Sequence, residues 1–231
     1  MKILVIGGTG EIGRELVKHL RLEHHEVAFS FCRNREEARN LEALGAKGFE
    51  LNLLKPWDLK AGHDAIVYAA QIDFKQLLKS DYPAFKTAEE TTPEFMHELY
   101  KIRVEAPFLL IKEAKRLLNE KGQILFLNTL DGVKTQTAPV FYSQCQASLK
   151  GLVESAAHEL GEHGILVNQL CMGIVEGKVS QQLPRGLKDK YLKHCSLGRY
   201  MKPNEVAELV HGMLTYNTYI TGESVVADGA L

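Results

Sequence analysis

The residues with the clearest chemistry stand close to the start of the chain. The apolar run Ile3 to Ile6 gives way to Gly7-Gly8-Thr9-Gly10-Glu11-Ile12-Gly13, just before a stretch of helical periodicity. Gly7, Gly10 and Gly13 form a GxxGxxG pattern. Glycines in such a turn permit a tight reversal, let the backbone approach a pyrophosphate and let the helix pack against the strand. The N-terminus of the following helix then faces the phosphates. A tight strand-to-helix turn with no ligand would use the same residues. A second signal lies at Ser30-Phe31-Cys32-Arg33-Asn34-Arg35, where the second expected strand ends. A carboxylate there would hold a ribose 2′-hydroxyl and favour NAD. The segment has none. Arg33 and Arg35 offer charge-assisted donors for a 2′-phosphate, which favours NADP(H). Against this stands the reading of two solvated arginines at a helix start, where positive charge is mildly unfavourable.

Other reactive side chains carry less. The cysteines Cys32, Cys145, Cys171 and Cys195 are far apart with no CxxC pair, so they read as buried small hydrophobes. The nine histidines are scattered, and His24-His25 falls in an expected surface connection. No pair has a metal-ligand spacing, and no metal is expected. Trp57, after Pro56, reads as packing at a helix start.

The elements that must position these residues follow from the hydrophobic pattern. Expected strands are Ile3 to Ile6, Glu26 to Phe31, Phe49 to Leu51, Ala65 to Ala69, Ile124 to Leu127, Ile165 to Leu170 and Ser224 to Ala227. Between them fall helices at Ile12 to Leu22, with Ile12, Leu16, Val17 and Leu20 on one face, and at Arg35 to Leu44, stopped by Gly45. Thr92-Pro93-Glu94 starts a further helix running towards Leu118, with a kink expected at Pro107. Val140 to Leu160 reads as one long helix, and Pro203 opens the last. Strands alternating with helices predict an α/β, Rossmann-type doubly wound parallel sheet, here one domain over 1–231. Ile72 to Glu90 reads as a polar insertion and Val179 to Arg199 as a helical flap.

Composition fits this class. The 231 residues are 45% hydrophobic and 25% charged, with a net charge of -1. A near-neutral chain lacks the basic surface that broad nucleic-acid binding requires. No apolar run approaches the ~20 residues of a membrane span, and MKILVIGGTG is too short for a signal-peptide core. A cytoplasmic protein with no nucleic-acid or membrane partner is expected.

The chain resembles the classical short-chain dehydrogenase/reductase family along almost its whole length, most explicitly in its second half. Tyr142 opens a long helix and is followed by Ala147, Lys150-Gly151-Leu152 and Glu159-Leu160. Gly164-Ile165-Leu166-Val167-Asn168 is similar to the family's "HGIRVN" strand. Leu197-Gly198-Arg199 with Pro203-Asn204-Glu205-Val206-Ala207 is similar to its "LGR…P-E-E-V-A" segment, and Ile220-Thr221-Gly222-Glu223 with Ala227-Asp228-Gly229 to its "ITG…VDGG" ending. Asn52-Leu53 matches the pair beside the adenine, Tyr68-Ala69-Ala70-Gln71 its NNAG turn, and Met172-Gly173 its PG turn.

The resemblance implies an NADP(H)-dependent oxidoreductase whose chemistry rests on Ser, Tyr, Lys and Asn. Tyr142 is the implied general acid or base, and Thr129 takes the serine's place thirteen residues earlier. The lysine position is Gln146 and the asparagine position is Arg103, so a cation and an amide are exchanged between the two. Lys150, one further turn along, is a poor substitute for the missing lysine. On this reading Gln146 holds the nicotinamide ribose. Arg103 supplies the positive field, together with a donor near the substrate oxygen. The alternative is that Arg103 faces solvent or an interface. The implied cofactor contacts are Gly7, Thr9, Gly10, Glu11, Ile12, Gly13, Arg33, Asn34, Asn52, Leu53, Ala69, Ala70, Gln71, Gln146, Gly173 and Val175. A carbonyl reductase is expected, acting on a small-molecule or acyl-thioester substrate carried on CoA or a carrier. A pseudoenzyme that only binds, or a non-redox dehydratase or isomerase, remains open because of the altered tetrad. The family implies a homodimer or homotetramer packed through the two long helices, using Leu99, Leu109, Leu110, Leu152 and Val153.

Overall fold

The computed structural model describes residues 1–78, 85–134 and 138–231. Its strands are β1 (Lys2–Ile6), β2 (Glu26–Phe31), β3 (Lys47–Glu50), β4 (His63–Tyr68), β5 (Leu118–Thr129), β6 (Leu166–Met172) and β7 (Ser224–Ala227). They form one parallel sheet in the order β3-β2-β1-β4-β5-β6-β7. The helices are α1 (Glu11–Leu22), α2 (Arg35–Glu42), α3 (Pro93–Tyr100), α4 (Ala106–Lys112), α5 (Ala114–Leu117), α6 (Val140–Gly161), α7 (Lys178–Gln182), α8 (Arg185–His194) and α9 (Pro203–Tyr216).

The unbroken apolar runs in the strands have a simple cause. Successive side chains alternate between faces, and here helices cover both. Ile3 and Val5 join Leu16 and Leu20 of α1 and Val206 and Val210 of α9. Leu4 and Ile6 point the other way, into a core with Leu110 of α4 and Leu149 and Val153 of α6. A third cluster, of Leu77, Phe95, Leu99, Ile102 and Cys145, packs around Tyr142.

Several expectations change on folding. The single helix to Leu118 is three helices, with a π-helical segment at Lys101–Glu105 just before Pro107. Proline offers no N–H to the preceding turn, and the widened turn takes up that defect. Trp57 starts no helix; it lies in an irregular segment and packs against the core. Cys32 is exposed, while the other three cysteines are buried. Leu99, Leu110 and Val153 are fully buried within their own chain, so they are not free for an interface. On the same helices Met96, Tyr100, Phe108 and Val140 are exposed large apolar side chains. The expected flap contains α7 and α8. Of the expected insertion, residues 79–84 lie outside the described residues, and Phe74–Leu77 forms a 3-10 turn. Among the described residues, no helix is long and apolar enough to cross a membrane.

The glycine turn is the tightest junction in the fold. Gly7 has φ +89°, and a Cβ there would stand 2.9 Å from the Ala70 backbone. A Cβ on Gly13 would stand 2.2 Å from the Gly7 carbonyl oxygen. Gly212 in α9 is the contrast, with nothing within 4 Å of an added Cβ. Gly13→Ala should therefore lower stability by about 1–3 kcal/mol through overpacking. Gly212→Ala should raise it by roughly 0.5–1 kcal/mol through helix propensity alone. Thermal melts of the two variants should shift in opposite directions, by ~2–4 °C per kcal/mol for a domain of this size.

Candidate active site

The strand order reverses between β1 and β4, and parallel α/β sheets place their ligand crevice at that point, beyond the strand ends. A cleft of about 570 Å³ opens there. Its floor begins at Gly7, whose amide donates to the Ser30 hydroxyl at 3.0 Å, while the Gly8 amide donates to the Ser30 carbonyl at 2.9 Å. Ser30 at the end of β2 thus sets the glycine turn, a role that sequence reading missed.

Nearly all expected cofactor contacts line this cleft: Gly7, Thr9, Gly10, Glu11, Ile12, Gly13, Arg33, Asn34, Asn52, Leu53, Ala69, Ala70, Gln71, Gly173 and Val175. Several side chains there already have local work. Asn34 caps α2 by accepting from the Glu37 amide at 3.1 Å. The Asn52 Oδ1 accepts from the Leu54 amide at 3.0 Å. The Glu11 carboxylate accepts from the Lys178 amide at 2.6 Å, tying α1 to the start of α7 across the cleft mouth. The Arg33 side chain is 75% exposed, with Nη2 3.9 Å from Glu98. Arg35 turns away to Glu50 at 2.5 Å and is outside the cleft. Of the two arginines considered for a phosphate, only Arg33 is in place.

At the far end of the cleft stand Tyr142 and Thr129. Burial raises the Tyr142 pKa above the ordinary phenol value. The Arg103 charge and the nearby Thr129 and Gln146 side chains pull it down, and Asp131 pushes it up. The net direction is upward, so the phenol keeps its proton at neutral pH. Asp131, another residue that sequence reading missed, also lines the cleft and accepts from Ser143 at 3.1 Å. Tyr191 closes the wall by donating to the Asp228 carbonyl at 3.2 Å, and burial pushes its pKa up to about 12. A Cβ on Gly173 would lie 2.2 Å from that hydroxyl, which explains the glycine after Met172.

Arg103 and Gln146 lie away from the cleft surface. Both are 0% exposed, and neither lines the cleft. Arg103 faces neither solvent nor an interface. Its Nε donates to the Gln146 Oε1 at 2.8 Å, and the rest of the guanidinium to the carbonyls of Ala70 (3.1 Å) and Leu127 (3.3 Å) and to Asn128 Oδ1 (3.1 Å). Gln146 is thereby occupied by the arginine at Oε1. Its Nε2 is buried without a hydrogen-bond partner among the described residues. Burial also lowers the Arg103 pKa, but arginine stays charged in proteins. The charge therefore acts on Tyr142 as a field from behind the wall, not as a donor at the substrate oxygen. The network extends through Asn128 Nδ2 to Gln169 at 2.8 Å. Amides inside the buried runs of β5 and β6 were the available signal for it. Lys150 pairs with Glu154 on the surface at 2.6 Å and takes no part.

Comparison with known proteins agrees with this geometry. The family model described as enoyl-(acyl carrier protein) reductase matches residues 9–231. The chain belongs to the short-chain dehydrogenase/reductase family. Within this family it is 27% identical to the 3-oxoacyl-[acyl-carrier-protein] reductase FabG of Aquifex aeolicus, over 99% of this chain and 96% of the relative. It is 23% identical to the cyclic-di-GMP-binding biofilm dispersal mediator protein of Escherichia coli, over 99% and 95% respectively. The crystal structure of BdcA in complex with NADPH superposes with a TM-score of 0.86 at 22% identity, covering 100% of this chain and 93% of that one.

The buried Arg103–Gln146 pair has a testable consequence. Gln146→Lys installs the residue that the resemblance implies at this position, but it places an ammonium against the Arg103 guanidinium and removes its acceptor. Breaking a buried charged network in this way costs about 3–5 kcal/mol. Gln146→Lys should therefore melt well below wild type, and the double variant Arg103→Asn/Gln146→Lys should recover most of the loss. A double-mutant cycle from denaturant melts should give a coupling of roughly 0.5–3 kcal/mol or more.

Proposed function

We propose that this chain is an NADP(H)-dependent oxidoreductase that reduces a carbonyl group, with Tyr142 as general acid. The observation that carries this reading is the Tyr142 phenol in the cleft wall, held neutral by burial and placed beside the Thr129 hydroxyl. The cleft suits a dinucleotide. Gly7 leaves a cradle that a Cβ would fill, the helix α1 begins at the turn, and Arg33 stands at the β2 end with no acid in the segment that follows. The glycine turn and α1 would hold the pyrophosphate, Arg33 the 2′-phosphate, and Asn52 and Leu53 the adenine side. When bound, the dinucleotide supplies the hydride.

The chain's own residues do the rest. Thr129 donates a hydrogen bond to the carbonyl oxygen and orients it. Tyr142 passes its proton to that oxygen as negative charge develops there. Arg103, through its field, limits how far burial raises the phenol pKa. Reduction uses the protonated phenol, the form that burial favours; oxidation of an alcohol needs the phenolate, which burial makes scarce. Leu77, Phe85, Leu183 and Leu187 line the substrate end. Apolar walls there support a small carbonyl compound or an acyl thioester such as a ketoacyl group. A cytoplasmic homodimer or homotetramer, packed through the exposed Tyr100 and Phe108, completes the proposal. One observation favours a binding-only subunit instead: Gln146, at the lysine position, is locked to Arg103 and withdrawn from the cleft.

Two measurements separate these readings. Fluorescence titration should give tighter binding for NADPH than for NADH, and Arg33→Ala should weaken NADPH selectively. Equal affinity for the two in wild type would sink the cofactor assignment. In a panel of ketones and ketoacyl thioesters, NADPH consumption should fall by roughly 100-fold or more in Tyr142→Phe. Because burial raises the Tyr142 pKa, the rate of reduction should stay level through neutral pH. It should decline only above the ordinary phenol value of about 10. Tight NADPH binding with no turnover of any panel member would favour the binding subunit.

A further inference from the structure

A second cluster of functional side chains lies on the opposite side of α1 from the chemistry above. His19 is on the last turns of α1, and Glu23 lies four residues on, at the cap of that helix. His211 lies on α9, which packs beside α1. The sequence separates His19 and His211 by 192 positions, so no spacing motif joins them, but the fold sets His19 Nε2 3.3 Å from His211 Nδ1. One ligand atom from each of His19, Glu23 and His211 lies within 4.8 Å of the others.

The distance between the two imidazole nitrogens is that of one edge of a coordination polyhedron. Zinc binds imidazole nitrogen at about 2.0–2.1 Å in tetrahedral geometry, which puts two ligand nitrogens about 3.3 Å apart. Two imidazoles and one carboxylate form a donor set that borderline divalent ions take up readily. A second observation comes from His25. Its ring centroid stands 5.1 Å from that of His211, and its Nε2 is buried with no hydrogen-bond partner among the described residues. Buried polar atoms almost always have a partner. The Met1 ammonium stands 3.3 Å from His25 Nδ1, which leaves Nε2 as an N–H able to donate a hydrogen bond to metal-bound water.

We propose that His19, Glu23 and His211 bind one divalent late transition metal ion of the zinc class, which staples α1 to α9. The site is structural. It lies eight residues from Glu11 along α1, about 12 Å at the rise of a helix, and does not depend on the chemistry proposed for the cleft. The competing account of the short contact is a hydrogen bond between two neutral imidazoles. That bond needs one N–H and one lone pair, whereas a metal needs two lone pairs.

The test uses the full untagged chain, stripped with chelator and titrated with Zn²⁺ by calorimetry. One equivalent should bind in the micromolar range or tighter and raise the melting temperature. Co²⁺ should give the visible absorption of a four-coordinate ion. His19→Gln and His211→Gln should each weaken Zn²⁺ binding by roughly tenfold or more, with Glu23→Gln weaker in effect. In wild type, ¹⁵N spectra of the imidazoles should show His19 Nε2 and His211 Nδ1 shifting together on Zn²⁺ addition, a readout that needs no variant to fold. The proposal is overturned if wild type binds no Zn²⁺ at micromolar concentrations. It is equally overturned if binding survives the double substitution, or if the two imidazole signals stay put.

Discussion

A fully buried guanidinium with no carboxylate beside it among the described residues is the constraint around which one end of the cleft is arranged. An unpaired charge in a protein interior is costly, and only a complete set of acceptors makes it tolerable. Arg103 collects that set from three elements: Ala70 after β4, Leu127 and Asn128 on β5, and Gln146 on α6. Each acceptor is also a positioning point. Ala70 forms the cradle against Gly7, Asn128 precedes Thr129, and Gln146 lies one turn beyond Tyr142. The arginine thus fixes the relative placement of the nucleotide turn, the hydroxyl and the phenol. The π-helical segment that carries it belongs to the same arrangement, since Arg103 sits in the widened turn before Pro107.

The electrostatics of the cleft follow from that burial. A lysine reaching into the cleft would act on the phenol and on a ligand together. A guanidinium behind the wall reaches Tyr142 only as a field, and its lowering influence is smaller than the upward push of burial. The outcome is a neutral phenol in a largely apolar cleft. Asp131 beside it adds negative potential and pushes in the same direction.

Much of this was legible in the amino-acid order, and the remainder was lost for physical reasons. Strand runs such as Ile3 to Ile6 and the glycine turn read directly, because both faces of the sheet are covered and the Gly7 backbone admits no side chain. The resemblance placed Tyr142 and Thr129 in the cleft. It did not reveal that Arg103 and Gln146 are partners, because a hydrogen bond spanning 43 positions leaves no local pattern. The roles of Ser30 and Tyr191 were hidden in the same way; each acts on backbone that only the folded chain brings near. Pro107 announced a break, but its form, a widened turn and not a kink, depended on packing. Cys32 was misjudged because residue type alone does not fix exposure in an irregular segment; Trp57 packs as expected, but no helix starts there.

The tie from Glu11 to the Lys178 amide has a kinetic meaning. It joins the first turn of α1 to a flap 167 residues away, and the flap side chains Val179 and Leu183 form part of the cleft wall. A hydrogen bond to a charged group contributes about 1.5–3 kcal/mol, and each 1.4 kcal/mol is a factor of ten in an equilibrium. Were that bond to break each time the cleft opens, it would slow entry and escape by the same factor and leave affinity to the cleft walls.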